Sequence, residues 1–106
     1  MQDMQSCIDS CLRCHAVCLQ ELTQRCLTMG GKHVEQRHVV LMLDCAEICQ
    51  TAANFMLRGS AQHKLTCRVC AEVCEACAQT CEQVGGMDEC ARICRDCAES
   101  CRRMAA

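Results

Sequence analysis

Residues 7–18 read Cys-Ile-Asp-Ser-Cys-Leu-Arg-Cys-His-Ala-Val-Cys, a C-x3-C-x2-C-x3-C spacing that returns at residues 70–81 and 90–101. Steps of four, three and four residues place side chains on one face of an α-helix. A fourth stretch keeps the same spacing with two substitutions, since it carries His38, Met42, Cys45 and Cys49. The repeat therefore predicts four helices, each with a stripe of soft metal ligands where a helical bundle normally carries aliphatic side chains.

The connections between these helices are marked by glycine. All five glycines lie at Gly30-Gly31, Gly59 and Gly85-Gly86, and the chain has no proline. Glycine ends helices because it takes a left-handed cap at little cost, and Ser6 and Asp88 are suitable N-terminal caps. We expect one domain over residues 1–106, with helices at about 6–28, 34–57, 61–84 and 88–103. Short connections favour an all-α fold, an antiparallel up-down-up-down four-helix bundle with a cysteine-lined core.

Composition narrows the class of protein. Sixteen cysteines in 106 residues is a proportion typical of secreted disulfide scaffolds. However, the first residues show neither the basic nor the apolar segment of a secretory signal, and Phe55 is the single aromatic residue. We therefore expect a cytoplasmic protein with reduced thiols. The net charge of −2 has no basic patch with aromatics, and no apolar run approaches about 18 residues, so we expect neither nucleic acid nor membrane as a partner.

The number of cysteines on one register argues against inert packing. A single buried cysteine is a small hydrophobe, but cysteine fills a core less well than leucine. Metal-bound cysteine is a thiolate, and four divalent ions in four-thiolate sites would leave about eight uncompensated negative charges in the core. One monovalent ion per thiolate leaves none, and Cu(I) is the biological monovalent ion that seeks thiolate and thioether ligands. Two cysteines on one helix can clamp Cu(I) nearly linearly, so we expect multiple Cu(I) ions per chain.

The predicted metal ligands are all sixteen cysteines together with His33, His38 and Met42. Fifteen of the cysteines share the register of the stripes, and Cys26 lies just beside it. The cysteines are Cys7, Cys11, Cys14, Cys18, Cys26, Cys45, Cys49, Cys67, Cys70, Cys74, Cys77, Cys81, Cys90, Cys94, Cys97 and Cys101.

Alternating helix direction divides the other notable side chains between two ends of the bundle. The end formed by the first and third connections, here called the mouth, gathers histidine and methionine, which suit capture of Cu(I) because they bind it more weakly than thiolate. Its members are Cys26, Met29, His33, His38, Met42, Cys81, Met87 and Cys90. The opposite end is predicted to be an apolar plug made of Met4, Phe55, Met56, Leu57, Leu65 and Met104. We expect His15 to pack on a flank and His63 to lie at the surface.

A second apolar stripe lies one position from the cysteines. It contains Ile8, Leu12, Leu19, Val69 and Val73. At helical spacing such a stripe either widens the core or forms a subunit interface, and the sequence leaves both readings open.

Several segments carry a family likeness over nearly the whole chain: the repeated helices, Asp-Cys-Ala-Glu-Ile-Cys at 44–49, Cys-Glu-Ala-Cys at 74–77, and Cys-Arg-Arg-Met-Ala-Ala at 101–106. In these the sequence resembles the cytosolic branch of the bacterial four-helix-bundle copper storage proteins. The resemblance implies a homotetramer of bundles, with many Cu(I) ions held mostly by cysteine pairs on one helix and entering at one end. The sequence departs from the pattern at Leu22 and His38, where such relatives often carry cysteine, and at Met87 in a turn that can hold histidines.

The favoured function is storage and detoxification of cytosolic copper, without a catalytic step. The chain shows no nucleophile–base pair, phosphate loop or dinucleotide fingerprint. A copper chaperone that hands single ions to a partner is an alternative, although it needs only one or two exposed sites. Copper donor or acceptor proteins are the protein partners to expect. A disulfide-stabilised structural bundle is another. An iron–sulfur carrier is disfavoured, because its cysteines follow loop-type spacings.

Overall fold

Four long helices make up most of the protein. A computed structural model describes residues 3–106; Met1 and Gln2, the first residues of the predicted 1–106 domain, lie outside that range. The first helix, α1 (Met4–Glu21), continues through a π-helical turn (Leu22–Cys26) into a last α-helical turn (Leu27–Met29). After a 3-10 turn (Gly31–Val34), the remaining helices are α2 (Gln36–Leu57), α3 (His63–Val84) and α4 (Asp88–Ala105).

The helices form an antiparallel ring. Each packs against its neighbour in the chain, and α1 closes the ring by packing against α4. The bundle is elongated, with extents of 42 × 21 × 18 Å. No strand occurs among residues 3–106. The predicted all-α, up-down-up-down bundle is therefore confirmed.

The helix caps differ from those predicted at two positions. Asp3, not Ser6, caps α1: its carboxylate accepts a hydrogen bond of 2.8 Å from the backbone N–H of Ser6, and the helix begins at Met4. Asp88 is the first residue inside α4, and the cap position is Met87. Asp88 and Glu89 instead place negative charge in the first turn of α4, where it interacts favourably with the positive end of the helix dipole. The two predicted caps were therefore wrong, by three residues and by one.

The remaining helix ends differ slightly from expectation. Residues 31–34 form the 3-10 turn, so α2 begins at 36 rather than 34. Ser60 accepts a hydrogen bond of 3.1 Å from the N–H of Gln62, in a turn that delays the start of α3 to His63. At the other end of the chain, α4 continues to Ala105, beyond the expected 103.

Two glycines end helices in a conformation that only glycine adopts readily. Gly30 has φ 70° and ψ −158°, and Gly85 has φ 85° and ψ 153°. The expected left-handed caps are thus replaced by the extended region at positive φ, which is essentially restricted to glycine. These residues turn the chain sharply at the mouth.

The π-helical turn explains why Cys26 belongs to the core although it is off register. In a regular α-helix, eight residues rotate Cys26 by about 80° relative to Cys18. The wider π turn over Leu22–Cys26 takes up part of this rotation and brings Cys26 back towards the bundle axis. Both Leu22 and Cys26 are buried. The sequence pattern gave no sign of this turn.

The interior is built mainly from cysteine and alanine. All sixteen cysteines are buried with free thiols, and none forms a disulfide. Between them pack small side chains that let the helices approach closely, namely Ala46, Ala52, Ala53, Ala71, Ala78, Ala91 and Ala98. The predicted cysteine-lined core is confirmed.

One helix, α2, meets a length and hydropathy criterion for membrane-spanning helices. By length and composition, α2 is apolar enough to cross a membrane, with a mean hydropathy of 1.3. The core helix of a soluble bundle meets the same criterion, and the inward face of α2 carries Cys45, Cys49 and Ala53 against the other helices. Asp44 and Glu47 interrupt α2, so the expectation that no uninterrupted apolar run approaches about 18 residues holds for this helix as well.

Candidate metal centre

Sulfur atoms from all four helices touch along the bundle axis. Near its middle, Cys14 of α1 lies 3.6 Å from the sulfur of Cys45 in α2 and 3.8 Å from that of Cys94 in α4. Cys45 lies 3.6 Å from the sulfur of Cys74 in α3. Because each sulfur has neighbours on other helices, the thiols form one connected column rather than isolated pairs.

The column contains four groups in which the sulfurs lie within 4.8 Å of one another. Three groups have four thiols and one has three, and some cysteines belong to two groups. They are Cys11, Cys70, Cys97 and Cys101; Cys14, Cys49, Cys74 and Cys97; Cys14, Cys18, Cys45 and Cys94; and Cys7, Cys67 and Cys101. Shared members allow neighbouring ions to share ligands.

The distances between sulfur atoms indicate how many ligands a metal ion would have if it bound in this conformation. On single helices, Cys14 and Cys18 are 4.0 Å apart and Cys70 and Cys74 are 3.7 Å apart. If an ion lay about 2.3 Å from both sulfurs of a pair, the sulfur–ion–sulfur angle would be about 121° for Cys14 and Cys18 and about 107° for Cys70 and Cys74. Such angles suit an ion with three or four ligands. Nearly linear clamping needs about 4.6 Å at the same bond length. In this conformation the two pairs lie closer than a linear clamp at that bond length requires, and sulfurs of other helices lie near enough to add a third ligand. The clamp on one helix stays a prediction.

Hydrogen bonds between neighbouring thiols shift their pKa values in both directions, and those with Cys14 and Cys18 lower the pKa of Cys45. Hydrogen bonds with neighbouring thiols, led by Cys18, and burial raise the pKa of Cys77 far above its usual range. Burial raises the pKa of Cys26 to about 11. Ionising one thiol beside others in a low-dielectric core is unfavourable. An ion that binds Cys26 or Cys77 as a thiolate must therefore expel the proton of that thiol.

A different set of donors lies at the mouth, around Cys26. Its sulfur is 3.4 Å from Nδ1 of His33, 3.5 Å from Nε2 of His38 and 3.7 Å from Sδ of Met87. All four side chains are buried, and His33 is the most accessible at 8%. Burial lowers the pKa of His38, so its imidazole is neutral and offers a lone pair. The structure thus brings Cys26, His33 and His38 together, as placed by the sequence prediction.

Met42 lies one helical turn after His38 in α2, further from Cys26 along the helix. Its Sδ is 3.5 Å from the sulfur of Cys77 and 3.7 Å from that of Cys81, and the side chain is fully buried. Cys81 in turn lies 3.9 Å from Cys90. Met42 therefore connects the mouth with the thiol column.

Some predicted positions differ from the structure. Met29 is 57% exposed, so it is outside the cluster around Cys26, whereas Met87 is inside it. At the opposite end, Leu57 and Leu65 are exposed, and the predicted plug is wrong for these two residues because they face away from the bundle axis. Met56 is buried there, with its Sδ 3.8 Å from the sulfur of Cys67.

The two other histidines bond to backbone carbonyls. Nδ1 of His15 lies 2.7 Å from the carbonyl oxygen of Ala46, on the flank between α1 and α2. Nδ1 of His63 lies 3.0 Å from the carbonyl oxygen of Ser60. Neither approaches the column through these contacts.

Sequence reasoning missed Thr80. Its hydroxyl lies 3.3 Å from Nδ1 of His38, on the side of the ring opposite the nitrogen that faces Cys26. Thr80 is buried although it is polar. It lies directly before Cys81 in the third stripe, and a polar residue on an inward-facing position was the signal available in the sequence.

Four helices around a column of free thiols define a cysteine-rich, metal-binding helical bundle. The sequence profile of the copper storage proteins matches residues 1–106, so the chain belongs to the copper storage protein family. It is 36% identical over 80 residues to the uncharacterized cysteine-rich protein YhjQ of Bacillus subtilis, covering 76% of this chain and 73% of that protein.

Solved structures show the same fold. The Nmul_A1745 protein of Nitrosospira multiformis is 56% identical and superposes with a TM-score of 0.94, covering 96% of this chain and 94% of that one. Copper storage protein 3 of Bacillus subtilis is 36% identical, with TM-scores of 0.91 for its Cu(I)-bound form and 0.80 for its apo form. The coverage is 99% of this chain for the first form, 98% for the second, and 100% of the Bacillus chain in both.

Proposed function

We propose that this protein stores many Cu(I) ions in its bundle core through cysteine thiolates. The observation that carries the proposal is the connected column of buried, free thiols from four helices. Family membership supports it, as does the likeness to a Cu(I)-bound copper storage protein. Sequestration explains a closed interior, because an ion surrounded by sulfur is withheld from water and from other ligands.

Charge balance favours a monovalent ion. Four thiolates around a divalent ion keep a charge of about −2 in a site that excludes water, and burying uncompensated charge is costly. One Cu(I) per thiolate leaves the core neutral. Protons leave as the ions arrive, because a thiol must lose its proton to bind the ion as a thiolate.

The proposed ligands are the sixteen cysteines together with His33, His38 and Met42. The histidines and Cys26 receive the ion at the mouth, and Met42 passes it to the column, because its sulfur touches both Cys77 and Cys81. Thioether binds Cu(I) more weakly than thiolate, so the ion moves inward to the thiols.

We further propose that the protein acts in the cytoplasm as a non-catalytic homotetramer. Free thiols in all sixteen cysteines agree with a reducing compartment. Exposed apolar side chains on α1 and α2, including Leu12 and Leu43, are available for subunit contacts. Leu43 lines a shallow cavity of about 420 Å³ together with His15 and Leu19. In this role the protein exchanges copper with donor or acceptor proteins rather than transforming a substrate.

Anaerobic Cu(I) titration of the reduced protein against a competing chelator tests the storage function. Charge balance predicts saturation at roughly one ion per cysteine. Saturation at one or two ions would identify a chaperone instead. Uptake of about four divalent ions, with Cu(I) no tighter than Zn²⁺, would contradict the proposal. Thiol counts under native and denaturing conditions test the disulfide-stabilised alternative.

A further inference from the structure

A short connection closes one side of the mouth. Gly85, Gly86 and Met87 join α3 to α4, and both glycines have positive φ, at 85° and 71°. The side chain of Met87 is 2% exposed, and its Sδ lies 3.7 Å from the sulfur of Cys26. Met87 therefore covers Cys26 from the side of this connection.

A hydrogen bond from the end of the first helix holds the connection in place. Nη2 of Arg25 donates this bond, 2.6 Å long, to the carbonyl oxygen of Gly86. Arg25 belongs to the π-helical turn that ends at Cys26, so the bond joins the turn that carries the thiol to the loop that carries its cover. Glu21 accepts a hydrogen bond of 3.2 Å from Nη1 of Arg25, and this second bond orients the guanidinium.

The other described backbone hydrogen bonds of the connection run to the helices that it joins. The N–H of Gly85 donates to the carbonyl of Cys81 in α3, and the carbonyl of Met87 accepts from the N–H of Ala91 in α4. A Cβ placed on Gly85 would meet no atom within 4 Å. A glycine beside open space lets the backbone turn, so a bond across the loop controls how often the loop opens.

An ion reaches the sulfur of Cys26 when a side chain that covers it moves. The thiol is fully buried, with nitrogens of His33 and His38 at 3.4 and 3.5 Å. His38 is fixed on α2, and the N–H of His33 donates a hydrogen bond of 3.1 Å to the carbonyl of Gly30, which closes its turn. The Met87 side is held by a bond from a half-exposed arginine, and it therefore opens at the lowest cost.

We propose that Arg25 is a positioning residue that latches Met87 over Cys26 and thereby sets the rate at which Cu(I) enters and leaves the mouth. Opening breaks the bond from Arg25 to Gly86, the loop turns about its glycines, and Met87 uncovers the sulfur. Because ions pass the same latch in both directions, it changes the rates of entry and release by the same factor and leaves capacity unchanged. The inference rests on the proposed storage function, since it concerns copper exchange at the same mouth.

Exchange rates in Arg25→Ala test the latch. Stopped flow under anaerobic conditions measures loading, and a colorimetric Cu(I) chelator added to the loaded protein drives release. Loss of one hydrogen bond predicts that both rates rise about three- to tenfold, with capacity and affinity unchanged. Arg25→Lys keeps a donor and should lie nearer the rate of the unmodified protein.

The matched control is Arg103→Ala, which removes an arginine that pairs with Glu99 four residues earlier, at the opposite end of the bundle. It should exchange copper at the rate of the unmodified protein. Circular dichroism checks that each variant is folded.

A double-mutant cycle separates the latch from the charge of the guanidinium. Met87→Ala should speed release at least as much as Arg25→Ala does, and adding Arg25→Ala to it should change the rate by less than about twofold. Repulsion of Cu(I) by the guanidinium alone would make the two effects multiply, and that result overturns the proposal. Unchanged rates in Arg25→Ala, or a fall in its capacity, overturn it as well. The capacity of the unmodified protein tests the storage function by itself, so failure of that function is distinguishable from failure of the latch.

Discussion

Replacing Cys49 with alanine separates the two roles of a core cysteine, as packing and as ligand. The sulfur of Cys49 lies 3.7 Å from Cys70 and 3.5 Å from Cys74 on α3, and 3.9 Å from Cys97 on α4. Its removal leaves a space about the size of a methyl group among the remaining sulfurs. We expect the free energy of unfolding of the metal-free protein to fall by about 1–2 kcal/mol.

The same change should lower Cu(I) capacity by about one ion, because one thiolate fewer balances one Cu(I) fewer. Denaturant unfolding of the metal-free protein measures the first effect, and anaerobic titration against a chelator measures the second. Glu47→Ala, on the exposed side of α2, is the matched control and should change neither quantity. An unchanged capacity in Cys49→Ala would refute the view that each thiolate in the column balances one ion. Loss of a whole group of ions would show instead that the four-thiol group binds metal as a unit.

Two other predictions concern pH and loading. Because the pKa of the Cys26 thiol is about 11 in the folded protein and about 9 when unfolded, the contribution of this thiol to the stability of the metal-free protein should be full below about pH 9 and be lost as the pH rises through about 11. Denaturant midpoints measured across this window check it, and the Cu(I)-loaded protein should show no such decline, since its thiolates are already deprotonated. Combining His38→Ala with Met42→Ala should slow Cu(I) loading more than it lowers capacity, because both side chains belong to the mouth, where His38 contacts Cys26 and Met42 contacts Cys77 and Cys81. Stopped-flow loading measures the rate. The matched control, His63→Ala at the opposite end, should load normally, and an unchanged rate in the double variant would contradict the assignment of the mouth.

The cysteine stripe on each helix could be predicted from the sequence. The cysteine spacing is a local property, so one helix at a time reveals which face must turn inward, and four such faces require a common core. The positions of the glycines predicted the connections between helices to within a few residues. Errors occurred where a cap or a turn depends on single hydrogen bonds, as at Asp3, which accepts from the N–H of Ser6.

The mouth could be predicted only in part. Cys26 and the two histidines were assigned to one end from helix direction alone, and the structure brings them together. The choice of Met87 over Met29 depended on the path of a loop, which no periodic pattern encodes.

Periodicity by itself determined that this chain folds as four helices with sulfur inside, because the pattern of inward positions is written residue by residue along each helix. Only the tertiary structure decided which thiols meet, since that depends on the rotation and height of each helix against the others. It also decided the surroundings of Cys26, because a π-helical turn, a tight loop and the buried hydroxyl of Thr80 must all converge there in space.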